Sequence, residues 1–329
     1  MSHVLVIGSN SFSGASFCGW LMDRGIDVTG VSRSQPPADV MLPYRWGQKP
    51  GSFNFQQIDL NHDLDALEAL LRKERFKQVF NFAAQSMVGE SWDRPDDWMH
   101  TNVVSAARLA ERLRHLDFLE RYVHVTTPEV YGSTDGWITE DTPFNPSTPY
   151  AVSRAAGDML FKLYREAYGL PVVSTRAANV YGPGQQLYRI IPRTIFFLLT
   201  GKPLQLHGGG VSTRSFIHMD DVSEATWLVA NEAPVGETYH ISTDRVVSIR
   251  ELVEMLCTRL GKDFGQCVEV VGERLGKDSA YWLDSQKLRS TLGWQDHISL
   301  ETGIEQTIAW VQENLAALLQ QPANYVHKP

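Results

Sequence analysis

The apolar run Val4-Leu5-Val6-Ile7 leads directly into GSNSFSG, residues 8 to 14, and a helical pattern follows from about Ser13 to Arg24. A strand that empties through a glycine turn into a helix opens a parallel sheet, because parallel neighbours need a crossover long enough to carry the chain back. The pattern recurs. Apolar runs at Val28–Val31, Gln78–Phe82 and Tyr122–Val125 alternate with helical segments at Leu64–Arg72 and Asn102–Leu113. In the latter, Val103, Ala106, Ala107, Ala110 and Leu113 fall at helical spacing. The expected class is α/β, a Rossmann-like doubly wound parallel sheet with a smaller α/β substrate-binding lobe.

The texture changes after about Arg176. Proline and glycine clusters appear, Gly182-Pro183-Gly184 and Gly208-Gly209-Gly210, with helical patterns near Pro192–Thr200, Ser248–Leu260 and Leu300–Leu319. Residues 1–175 read as a dinucleotide-binding domain and 176–329 as the substrate lobe. Segments around Ser215–Asn231 and Thr238–Ile241 are expected to return to the first sheet, and the tail from Gln321 to Pro329 to be mobile. A chain of 329 residues with 43% hydrophobic content can bury two such lobes.

Charge and cysteine usage exclude several functions. The net charge is −8, with 30 basic and 38 acidic side chains interspersed, which argues against a nucleic-acid partner and leaves room for a local basic pocket. Cys18, Cys257 and Cys267 show neither CxxC nor Cys/His ligand spacing, so no disulfide framework and no metal site is expected, and a reducing cytoplasm fits. No run approaches the roughly 20 apolar residues that span a bilayer, and the amino terminus shows no basic leader. A soluble cytoplasmic protein without a membrane partner is the expectation.

A strand feeding a helix presents backbone N–H groups and the positive helix end to a pyrophosphate. In the pattern GxxGxxG, Gly8 supplies the tight turn and Gly14 the close packing of helix on sheet. Ser11 replaces the middle glycine; it is small enough to keep the approach open and adds a hydroxyl donor. The second strand ends Ser32-Arg33-Ser34, with no acid for a ribose 2′-hydroxyl; an arginine between serines grips a 2′-phosphate instead, which favours NADP over NAD. Asp59, closing the strand-like Phe55–Ile58, is placed to meet the adenine amino group.

Thr148-Pro149 marks a helix start, so Tyr150 and Arg154, four residues apart, share one helical face. TTPEVYG, residues 126 to 132, stands at the end of the run Tyr122–Val125. With these motifs the chain resembles the extended short-chain dehydrogenase/reductase family, and within it the nucleotide-sugar 4,6-dehydratases. The resemblance runs through GSNSFSG, NFAAQSMVGES at 81–91, Thr101-Asn102, TTPEVYG, YAVSR, RAANVYGPG at 176–184, the stretch Arg189 to Pro192, STRSFIHMDDV at 212–222, ERLGKD at 273–278 and LGW at 292–294.

The resemblance implies roles. Tyr150 as phenolate takes the proton of the sugar 4-hydroxyl, Thr127 bonds the same oxygen, and Glu129 removes the C5 proton as water leaves C6. Gly8, Ser11, Phe12, Gly14, Arg33, Asp59, Leu60, Ala83, Tyr150 and Arg154 would hold a tightly bound, recycled dinucleotide. Ser86, Asn179, Arg189, Arg193, Arg214 and Arg274 would hold the nucleotide sugar. The family's dimer pairs two helices per subunit, here Asn102–Leu113 and Tyr150–Tyr168; the stripe Met159, Leu160, Leu163, Ala167 could serve it or be ordinary core.

Two residues depart from the pattern. Arg154 stands where the family has lysine; it keeps the charge and the donors but does not readily relay a proton. Pro128 stands where many dTDP-glucose dehydratases place the aspartic acid that protonates the leaving hydroxyl. The GDP-mannose dehydratase branch also lacks that aspartate and shares an AQS stretch, which tilts the expected substrate toward a GDP-sugar; QQLYRIIPRT at 185–194 adds an N-acetylhexosamine as an option. Two rivals stay open: a 4-epimerase or dehydrogenase of the same family, and a non-catalytic dinucleotide-binding sensor or scaffold.

Overall fold

The structure, a computed structural model, describes residues 3–273 and 280–328. Strands β1 (His3–Ile7), β2 (Asp27–Ser32), β3 (Phe53–Gln57), β4 (Gln78–Asn81) and β5 (Arg121–Thr126) form one parallel sheet with Val172–Ala177 and Thr238–Ile241. The order across it is Thr238–Ile241, Val172–Ala177, β5, β4, β1, β2, β3. β1 lies between β2 and β4, with Val6 opposite Gly30 on one side and Phe80 on the other. The chain runs outward from β1 to β3, then crosses back to start again at β4. Crossovers therefore diverge at the carboxyl ends of β1 and β4 and leave a crevice there.

Val4, Leu5, Val6 and Ile7 are each at most 1% exposed, as expected for a strand covered on both faces. One face carries helix Phe12–Asp23 and helix Met219–Glu232, packed through Phe17, Leu21, Val222, Ala225 and Val229. Leu64–Glu74, Ala106–Leu113 and Pro149–Tyr168 cover the other, through Leu67, Leu71, Leu109, Leu113 and Phe161. A third core, with Phe196, Leu252, Ile304 and Val311, joins helices Ile190–Thr200, Ile249–Arg259 and Leu300–Glu313 into the second lobe.

Several boundaries differ from the expectation. Thr238–Ile241 does join the main sheet, but Thr213–His218 pairs with Asn179–Tyr181 and Val246–Ser248 in a separate small sheet. Ile217 of that strand and the helix after it pack into the first core. Of the expected helix Asn102–Leu113, residues 102–105 lie in a π-helical stretch, His100–Ser105, that follows Pro95–Met99, and the α-helix runs Ala106–Leu113. The expected helix Leu300–Leu319 is broken after Glu313, where the Asn314 side chain donates to the Trp310 carbonyl at 2.9 Å, and a short helix, Leu315–Leu318, follows. Among the described residues, no helix is long and apolar enough to cross a membrane.

Candidate functional site

The glycine turn sits at the crevice. Gly8 has φ +85°, its N–H bonds the Val31 carbonyl at 2.7 Å, and a Cβ there would stand 2.6 Å from the Ala83 nitrogen. A Cβ on Gly14 would meet the Gly8 carbonyl oxygen at 2.2 Å. Ser11, by contrast, has φ −75° and ψ 160°, ordinary extended backbone, so a middle glycine is not required. It is the helix N-cap: its hydroxyl accepts from the Gly14 N–H at 3.1 Å and donates to the Gly8 carbonyl at 2.7 Å. The proton expected to face a phosphate is thus turned inward. Phe12 and Ser13, in the helix's first turn, cannot bond within it and present N–H groups at the positive helix end. That arrangement fits a dinucleotide pyrophosphate.

The neighbouring loops extend this edge. Ser32 accepts from the Asn10 N–H at 3.0 Å, Asn10 Nδ2 donates to the Ser34 carbonyl at 2.9 Å, and Tyr44 bonds Asn10 Oδ1 at 3.1 Å. Arg33, half-buried, is carried just past β2 on that braced loop. Past β3 come Asp59, whose Oδ1 accepts from the Asn61 N–H at 2.8 Å, and buried Leu60. Past β4, the Ala83 N–H is held by Asn81 Oδ1 at 3.0 Å. All the expected dinucleotide residues but Tyr150 and Arg154 thus follow the carboxyl ends of four adjacent strands.

Thr148 caps the helix Pro149–Tyr168, accepting from the Ala151 N–H at 3.1 Å. One turn in, Tyr150 and Arg154 are buried at 7% and 6% exposure. Burial pushes the Tyr150 phenol up; Arg154 and a hydrogen bond with Thr127 pull it down, Glu129 raises it, and Arg189 lowers it. Thr127, Glu129 and Arg154 of the sequence set therefore all act on the Tyr150 phenol, and Arg189 does so as well. The Arg154 guanidinium donates to the Val125 carbonyl. Behind it a cavity of about 10 Å³ is lined by Asn81, Asn102, His124 and Arg154, near the lower limit for one water.

Thr127 begins the turn Pro128–Tyr131, and its Oγ1 accepts from the Glu129 N–H at 3.3 Å. Pro128 occupies the first position of that turn, where its fixed φ suits and its missing N–H costs nothing. The turn rests on a buried polar layer. Arg176 bonds Tyr131 at 2.6 Å and Asp158 at 2.8 Å, His124 meets Asp158 at 3.0 Å, and His240 meets Tyr131 at 2.8 Å. Burial raises Asp158, but Arg176 and His124 outweigh it and hold the carboxyl well below its usual range. Burial pushes His124 down, and His240 to about 3.

Asn102 ties the β4 loop to the helix Pro149–Tyr168. Its side chain bonds both backbone groups of Gln85 at 2.9 Å and the Ser153 hydroxyl at 2.9 Å. Ser86 beside it is exposed. On the second lobe, Asn179 and buried Arg214 meet at one residue absent from the sequence expectations, Tyr281. Its hydroxyl stands 3.0 Å from Asn179 Oδ1 and 3.2 Å from Glu129 Oε1, and the Arg214 guanidinium lies 4.5 Å from its ring centroid. The only sequence signal was its place three residues past the ERLGKD stretch. Arg274, within that stretch, lies outside the described residues.

The tail corrects an expectation. Arg193 Nη1 donates to the Ala323 carbonyl at 2.9 Å, Tyr325 packs edge-on to Tyr188 at 5.4 Å, and His327 stacks on Trp98 at 5.0 Å while bonding Asp97 at 2.7 Å. Gln85 Nε2 reaches the Lys328 carbonyl at 2.6 Å. Residues expected to be mobile are seated from the second lobe to the β4 loop, because apolar rings and paired polar groups repay their ordering. Met159 and Leu163, at 59% and 60% exposure, are not core, and Val104, Val152 and Tyr168 are exposed on the same two helical segments.

A family model described as GDP-mannose 4,6 dehydratase matches residues 5–307. A dTDP-glucose 4,6-dehydratase of Xanthomonas campestris pv. campestris is 35% identical over 335 residues, covering 95% of this chain and 94% of that protein. A trifunctional UDP-glucose 4,6-dehydratase/3,5-epimerase/reductase of Arabidopsis thaliana is 34% identical over 267 residues, 80% of this chain; the match spans 40% of that longer protein. Among solved structures, the dTDP-glucose 4,6-dehydratase of Streptomyces venezuelae, with NAD bound, superposes at TM-score 0.87 with 32% identity, covering 96% of this chain and 98% of that one.

Proposed function

The chain belongs to the nucleotide-sugar 4,6-dehydratase family of extended short-chain dehydrogenases/reductases, and on that premise we propose that it converts a nucleoside-diphosphate hexose to the 4-keto-6-deoxy sugar. The observation that carries the reading is Glu129, set by the Thr127 turn beside buried Tyr150. A 4-epimerase needs no carboxylate at C5, and a sensor needs none of the three.

Tyr150, whose phenol burial raises on balance while Arg154 and Thr127 offset part of that rise, takes the proton of the 4-hydroxyl, and Thr127 bonds the same oxygen. A nicotinamide dinucleotide, when bound, would supply the acceptor for the C4 hydride and its donor at C6, with C5 taking up a solvent-derived proton as C6 is reduced. The 4-ketone acidifies C5–H, which Glu129 removes; water then leaves C6. Asn102 and Thr148 hold the catalytic helix and the β4 loop in register for these transfers.

Residues 1–175 carry the dinucleotide and 176–329 mainly the nucleotide sugar, with Asn179, Arg189, Arg193 and Arg214 supplying cations and donors for its diphosphate. The absence of an acid at Ser32-Arg33-Ser34 favours NADP, with Arg33 on the 2′-phosphate; the solved relative named above binds NAD. Exposed Met159 and Leu163 suit a homodimer through the two long helices, and the free Cys18, Cys257 and Cys267 suit a reducing cytoplasm. A GDP base rests on sequence resemblance, whereas the curated relatives are named for dTDP- and UDP-glucose.

Incubation with UDP-, GDP-, dTDP- and CDP-hexoses in deuterated water, read by mass spectrometry, tests the reading. Loss of one water with deuterium at C5 supports it; interconversion of C4 epimers without either overturns it. The dinucleotide released on denaturation distinguishes NADP from NAD.

A further inference from the structure

We infer that Tyr281 is a positioning residue that lets Glu129 serve as both base and acid in the elimination, an inference that rests on the proposed dehydratase function. Pro128 offers no proton for the leaving hydroxyl, so the proton that Glu129 takes from C5 is the one at hand for C6. A single carboxyl group used twice must be held in place in both of its charge states. Tyr281 has the means. It is 5% exposed, its ring lies against the Arg214 guanidinium, and its hydroxyl stands between Glu129 Oε1 at 3.2 Å and Asn179 Oδ1 at 3.0 Å.

The phenol carries one proton, and among the described residues Glu129 and Asn179 both stand as acceptors for it. Against ionised Glu129 that proton points to the carboxylate, the stronger acceptor. The C5–H bond then breaks, its proton passes to Glu129, and its electron pair becomes the C5–C6 double bond as the C6–O bond breaks. Once Glu129 is neutral, the phenol proton turns to the Asn179 amide oxygen, and Glu129 gives its own proton to the departing hydroxyl, which leaves as water. Tyr281 keeps its proton throughout, and Glu129 ends ionised. Because Asn179 and Arg214 are also the residues proposed for the diphosphate, a seated nucleotide sugar and a correctly held base share one side chain.

Tyr281→Phe keeps the ring and removes the hydroxyl. Loss of one hydrogen bond to a charged group is expected to lower kcat for water loss about 10-fold to 100-fold. KM stays close to wild type, and C4 oxidation, followed by the absorbance of reduced nicotinamide, keeps its rate, so reduced dinucleotide accumulates. The acid limb of the kcat profile moves to higher pH, since the carboxylate has lost a donor. Glu129→Gln/Tyr281→Phe loses no more than Glu129→Gln alone. Wild-type kcat in Tyr281→Phe, an effect confined to KM, equal losses in oxidation and elimination, or additive losses in the double variant each overturn the inference alone. A wild-type protein that removes water from no nucleotide sugar overturns it together with the proposed function.

Discussion

The dinucleotide edge and the proton-transfer corner lie on the same sheet and are built in opposite ways. Along the edge, the residues of the turns are set by near neighbours, Ser11 by Gly8 and Gly14, three residues away on either side, and Ala83 by Asn81, two residues before it, with Ser34 and Tyr44 bracing Asn10 from farther off. At the corner, Tyr281 reaches Glu129 across 152 positions and Asn179 across 102. A local device tolerates a changed residue whenever the backbone it needs is still reachable, as Ser11 shows. A tertiary device has no such tolerance and no motif; it depends on where separate elements come to rest.

The contrast can be broken most forcefully at the corner. Tyr150→Phe is expected to cost about 10²–10⁴-fold in kcat while leaving dinucleotide content unchanged, because only the phenolate's general-base role is lost; if the purified variant is also stripped of dinucleotide, corner and edge are not separable. Glu129→Gln, on the same scale, should stop water loss yet allow C4 oxidation, so that incubation with the substrate leaves reduced nicotinamide on the protein; full turnover in this variant contradicts the assignment of the base.

Gly14→Ala probes the edge. Its Cβ would lie 2.2 Å from the Gly8 carbonyl oxygen, backbone that cannot turn aside. A stability loss of about 1–3 kcal/mol is expected with loss of bound dinucleotide, both read by thermal melts with and without added cofactor.

The buried layer beneath the corner titrates. His240 is charged near pH 6.5 when unfolded but held down to about 3 by burial when folded. Between those values the unfolded chain binds more protons, so stability is full above pH 6.5 and falls as the pH drops toward 3. Calorimetry at stepped pH checks this, and a Tm unchanged over that window contradicts it. The smallest effect is expected from Ser11→Gly, which restores the family glycine and removes the cap: a few tenths of a kcal/mol, with dinucleotide retained.

Much of the fold was legible because β1, β2 and the helices around them advertise themselves through continuous apolar runs and helical spacing. Thr127, Glu129, Tyr150 and Arg154 were legible as two short motifs. Thr213–His218 misled, since a buried strand looks the same whichever sheet it joins. The tail misled as well: its polar sequence hid a seat formed by Trp98, Asp97, Gln85 and Arg193, none of them near it in the chain.

By itself the sequence determined the parallel sheet, the turn at Gly8–Gly14, and the type of groups available for chemistry, since periodicity, capping and positive φ are properties of neighbouring residues. Only the tertiary structure decided that the tail spans the two lobes and that Tyr281 stands between Glu129 and Asn179. Those outcomes depend on distances between elements far apart in the chain, which packing of the three cores sets.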